Sequence, residues 1–120
     1  MAATDTTNRR RPLRFNLPGA YIPGTRLNRT NLTRANLAGA NCSKVDFSDA
    51  IMHDANLSGT ILAGAILRRV DFRGAVLKRA DLRGADLTDA INLTDQQLAE
   101  AIVDAETKLP NGLAPVPAIA

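Results

Sequence analysis

The stretch DFRGAVLKRADLRGADLTDA, residues 71–90, is rich in Leu, Ala, Arg and Lys and has the composition of a basic amphipathic helix. Its spacing excludes one. Phe72, Leu77, Leu82 and Leu87 recur every five residues, and five helical steps of about 100° turn each side chain roughly 140° from the last. The large residues would scatter around the cylinder and leave no face to bury. A flat strand fails as well, because an odd spacing sends successive leucines to opposite sides of a sheet.

Stepping back by five from Leu87 reaches Leu82, Leu77, Phe72, Leu67, Leu62, Leu57, Met52, Phe47, Cys42, Leu37, Leu32, Leu27, Ile22 and Leu17, fifteen apolar positions without a gap. The slot two residues before each repeat centre is small: across positions 20–90 it is Ala ten times, Thr three times and Val twice. Residues two apart lie on one side of an extended segment, so the small and large slots face one interior. The odd step to the next small slot requires a bend, which falls on the two residues after each large one. Seven of the second bend residues are Gly and three are Asp, both suited to turns. Repeated bending in one sense winds the chain into a coil whose large residues stack from turn to turn.

The segments ADLRGADLTDA, TNLTRANLAGANCSKVDFSDA and ANLSGT resemble the A-(D/N)-L-X-X consensus of the pentapeptide-repeat family. The resemblance implies an all-β solenoid: a right-handed, four-sided β-helix of just under four coils. The match departs from the consensus at Tyr21, Arg26, Ile51, Ile61, Ile66 and Val76, which replace the Asn or Asp, and at Cys42 and Met52 in the large slot. The expected organisation is a basic N-terminal arm over 1–14, the β-helix over 15–93, a C-terminal capping helix over 94–106 and an extended tail over 107–120. The helix rests on residues, too. Thr94 and Gln97 make a capping-box pattern, and Leu98, Ala101, Ile102 and Ala105 make a stripe at helical spacing. In longer relatives such a helix also joins two protomers, so the resemblance adds a homodimer through the C-terminal helix as the alternative to capping alone, which is the plainer expectation.

Charge runs from basic to acidic along the chain. Arg9, Arg10, Arg11 and Arg14 face only Asp5 at the start, whereas Asp95, Glu100, Asp104 and Glu106 face only Lys108 at the end. The single cysteine, Cys42, excludes an intramolecular disulfide and a cysteine-based zinc site. The longest apolar run, ILAGAIL at 61–67, is too short to span a bilayer, and the N-terminus lacks the apolar core of a secretory signal. These readings give the expectation of a cytoplasmic protein, and the family resemblance that of a bacterial-type one.

No catalytic constellation, cofactor motif or metal-ligand cluster is present in the sequence, so no enzymatic role and no small-molecule substrate are expected. His53 is expected as a solvated bend residue, and Asp46, Asp71, Asp81 and Asp86 as local partners of bend backbone. With twenty residues per coil, Arg29, Asp49, Arg69 and Asp89 should stack as alternating charges, and Asn16, Asn36 and Asn56 as an amide ladder. The candidate partner surface has two parts. Ile51, Ile61, Ala63, Ile66 and Val76 should point outward, and Arg68, Arg69, Arg73, Lys78, Arg79 and Arg83 should form a basic belt within one coil. The function expected is a protein-interaction or structural scaffold module with an unidentified protein partner. Two alternatives come with it. One, from the family, is a duplex-DNA mimic acting on a type II topoisomerase such as DNA gyrase. The other is weak binding of nucleic acid or an anionic membrane surface by the belt.

Overall fold

The computed structural model describes residues 15–113. The expected arm over 1–14 and the end of the tail, 114–120, lie outside the described residues. From Asn16↔Asn36 to Asp71↔Ile91, each residue before a repeat centre forms a parallel bridge with the residue twenty further on. One coil is therefore four pentapeptides. The bridged residues form four columns, one per face: Asn16, Asn36, Asn56 and Val76 on face one; Tyr21, Asn41, Ile61 and Asp81 on face two; Arg26, Asp46, Ile66 and Asp86 on face three; Asn31, Ile51, Asp71 and Ile91 on face four.

The hydrogen bonds around Leu62 show why a pentapeptide suffices. Ile61 N–H donates down to Ala40 O at 2.8 Å; Leu62 and Gly64 N–H donate up to Asp81 O at 2.8 Å and Arg83 O at 2.9 Å. Ala65 N–H then donates back to Leu62 O at 3.0 Å, closing the bend. Each second bend residue sits at positive φ, whether Gly (Gly74, 74°) or not (Arg69, 60°; Asp89, 59°). Glycine is the unstrained choice there. At Gly74 it is also a steric one, because an added Cβ would collide with Asp54 Oδ1 in the coil below.

From Leu32 to Leu93 both inward slots are buried. Phe47, Leu62, Leu67 and Phe72 are fully buried, stacked beside the small residues Ala40, Ala65 and Val70. Cys42 fills a large slot with its thiol pushed up to about 11 by burial. Thr60 brings the one hydroxyl into the described core, where its Oγ1 donates to Leu37 O at 2.7 Å.

The C-terminal end corrects two expectations. Helix α1 spans Asp95–Glu100, six residues in place of 94–106. Its start is as expected: Thr94 accepts from Gln97 N–H, and Gln97 Oε1 accepts from Thr94 N–H at 2.8 Å. Gln97 Nε2 also donates to Phe72 O and Ala75 O, both at 2.9 Å, which fastens α1 over the last coil. Of the expected apolar stripe only Leu98 is buried, and Ile102 is 45 % exposed. The helix stops at Ala101 because the chain re-enters the solenoid. Ile102 bridges to Asp81 on face two and Lys108 to Asp86 on face three, so 107–109 is a rung and no free tail. Ala101-Ile102-Val103 and Thr107-Lys108-Leu109 are themselves small-x-large triplets, offset from the five-residue phase. These two rungs make a partial fifth coil.

Candidate interaction surface

The slot before each repeat centre points outward and serves the backbone. Asn36, Asn41, Asp46, Asn56 and Asp86 each accept the N–H of the residue two further on through Oδ1, at 2.9 to 3.1 Å. Asp71 and Asp81 hold Arg73 and Arg83 N–H in the same way, as the sequence led us to expect. Ile51, Ile61, Ile66 and Val76 have no oxygen to offer. The N–H groups of His53, Ala63, Arg68 and Lys78 consequently have no partner among the described residues.

The outward aliphatic residues do not form one patch. Ile61 and Ile66, each 37 % exposed, flank a single corner whose bend is Ala63-Gly64. Ile51 is half-buried on face four, and Val76 lies at 44 % exposure on face one. The Ile61–Ala63–Ile66 corner is rimmed by Asn41 and Asp46 below and by Asp81 and Asp86 above. Ile91 and Ile102 are also exposed; both slots lie where the five-residue phase was breaking, which concealed them.

Half of the basic belt is paired with carboxylates. Arg69 binds Asp49 through two bonds of 2.7 and 3.0 Å, and Arg83 grips Asp81 at 2.9 and 2.8 Å. Arg68 reaches Asp86 at 3.2 Å. The Arg83 guanidinium holds the Asp81 carboxyl below the usual carboxylate range against partial burial. At Asp86, burial pushes the other way and is outweighed by bonds from Thr88 and Arg68. Asp49 also raises the pKa of Arg69 through its hydrogen bonds and charge, with a weaker pull from Asp89. Arg73, Lys78 and Arg79 have no ion pair among the described residues, and they sit at two different corners. Arg73 lines an open cleft of ≈ 480 Å³ with Asn92, Thr94 and Gln97.

His53 departs from expectation. Its ring is 25 % exposed and bonded through Nε2 to Asp71 Oδ2. Asp71 Oδ1 in turn accepts from Asn92 Nδ2 at 2.8 Å. Burial raises the Asp71 pKa, but the bonds from Asn92, His53 and Arg73 N–H hold it below the usual range. The signal for this clasp was the twenty-residue register, which sets His53 and Asp71 on neighbouring coils at one corner. Among the described residues, no three His, Cys, Asp or Glu side chains are grouped to hold a metal ion.

A twenty-residue coil with inward Leu and Ala and outward Asn and Asp defines a β-helical solenoid of pentapeptides. The family profile for pentapeptide repeats matches residues 16–54 and 50–89 in eight copies, and the chain belongs to that family. The fold is accordingly a right-handed β-helix. Among solved structures it is similar to a pentapeptide repeat protein of the Arabidopsis thaliana thylakoid lumen. Identity is 21 %, 77 % of this chain and 59 % of that one are covered, and the TM-score is 0.41. It also resembles the pentapeptide repeat protein Rfr23 of the cyanobacterium Cyanothece, at 28 % identity, with 80 % and 88 % covered and a TM-score of 0.36. A third is HetL, involved in heterocyst differentiation regulation in Nostoc, at 28 % identity, with 82 % and 50 % covered and a TM-score of 0.36. No curated protein matches.

Proposed function

We propose that the chain is a non-enzymatic interaction module that presents the Ile61–Ala63–Ile66 corner to a protein partner. The observation that carries this is a double departure from the repeat. At Ile61 and Ile66 the solenoid gives up the Asn or Asp that caps the bend, exposes an aliphatic side chain, and leaves Ala63 and Arg68 N–H without a partner among the described residues. Apolar surface beside two open donors suits a partner segment that brings its own apolar side chains and carbonyl oxygens. The fixed coil holds these groups in place, which limits the entropy lost on binding. A reducing cytoplasmic setting goes with this reading. Duplex-DNA mimicry is disfavoured, since it needs a column of free carboxylates and Asp49, Asp81 and Asp86 each face an arginine.

Restoring the repeat tests the proposal without damaging the fold. An Ile61→Asn, Ile66→Asn double variant recreates the consensus, and its side chains can accept Ala63 and Arg68 N–H. The wild-type chain, crosslinked in native extract, should capture a protein footprinted on 61–68, and the variant should lose it at least about tenfold. Equal capture by both proteins would reject this surface.

A further inference from the structure

The two ends of the rod are unlike and complementary. At the N-terminal end Phe15, Ala20, Ile22 and Leu27 are half-buried against the core, and Leu17 is 37 % exposed. At the other end Ala101, Val103, Leu109 and Leu113 are half-buried in the same way. Within the rod, the N–H of every described repeat centre but Leu77 donates up to the carbonyl of the preceding slot in the next coil, as Leu82 does to Ile102 and Leu87 to Lys108. The fifth coil ends with the next such donors, Val103 and Leu109 N–H, unpaired among the described residues. The first coil begins with the matching acceptors, Tyr21 O and Arg26 O, likewise unpaired.

Charge follows the same polarity. The first described coil exposes Arg26 and Arg29 without an acidic residue between 15 and 30. The C-terminal end exposes Asp95, Glu100, Asp104 and Glu106 around Lys108.

We infer that copies of this chain associate head to tail, the basic N-terminal coil of one seated on the acidic fifth coil of the next. Each contact pairs donors with acceptors in the sense used inside the rod and covers two half-buried apolar ends. Two like ends meeting would oppose like charges. The contact is heterologous and does not close on itself, so association is open-ended and grows with concentration. Ionic strength weakens it, because the charges at both ends are solvent-exposed.

Sedimentation of the full chain at low and high salt tests this. Expected are species beyond the dimer at low salt, with association falling at least about tenfold in high salt. Two variants, Arg26→Glu with Arg29→Glu and Glu100→Lys with Glu106→Lys, should each be monomeric alone and associate when mixed. A monomer at every concentration, a dimer that grows no further, or variants that associate as the wild type does would each overturn the inference. Folding of each variant is checked by its unchanged thermal transition.

Discussion

Thr60 is the fully buried one of the three threonines that share the small slot with Ala and Val, and its hydroxyl donates to a carbonyl that is already paired. Leu37 O also accepts Ala40 N–H at 2.9 Å, so removing the hydroxyl orphans nothing. Thr60→Val should therefore cost less than about 1 kcal/mol, whereas Leu62→Ala, which opens a void in the large-residue stack, should cost about 2–5 kcal/mol. Urea denaturation compares the two. Gly39 and Gly74 separate backbone from packing. Both lie at positive φ, but a Cβ at Gly39 meets nothing while one at Gly74 meets Asp54. Each Gly→Ala change should cost about 1 kcal/mol from φ alone, with Gly74→Ala the worse. Asp54→Ala should erase the difference in a double-mutant cycle.

At the scale of the element, the bend and the cap carry the predictions. Ile61→Asn should stabilise the chain by about 0.5–1 kcal/mol by giving Ala63 N–H an acceptor, even as it removes the proposed contact. A neutral or destabilising result would show that the aliphatic slot serves the fold. Gln97→Ala breaks the capping box and strips Nε2 from Phe72 O and Ala75 O, and should cost about 1–2 kcal/mol with loss of α1. Circular dichroism and thermal melts read both effects. The coils were legible in the sequence because one spacing repeats fifteen times and each slot has a distinct chemistry. The end of α1 was not. Ala101, Ile102 and Ala105 fit a helical stripe, and only the rung bonds of Ile102 show that sheet pairing won over propensity. The Arg69–Asp49 pair followed from the twenty-residue stacking, and Ile61 and Ile66 from their successive slots, but the Arg68–Asp86 and Arg83–Asp81 pairs depended on side-chain reach, which spacing does not encode.

Over the whole molecule, the carboxylates set the response to acid. Asp71, Asp81 and Asp86 are held below their ordinary range in the fold, so the unfolded chain takes up protons first as pH falls. Their contribution is fully present above the unfolded pKa, about 4, and is lost as pH drops through the folded values. The thermal midpoint should stay level from neutrality to about pH 5 and fall below about pH 4. A five-residue period winds this chain into a solenoid whose bend amides are capped by the outward slot. Residue-resolved native hydrogen exchange tests it most directly. Met52, Leu57, Leu62 and Leu67 N–H should be strongly protected. His53, Ala63, Arg68 and Lys78 should exchange fast, and Ser48, Ser58 and Thr88, at equivalent bends, more slowly. Continuous protection of every amide across 71–90, as a helix would give, would contradict the account.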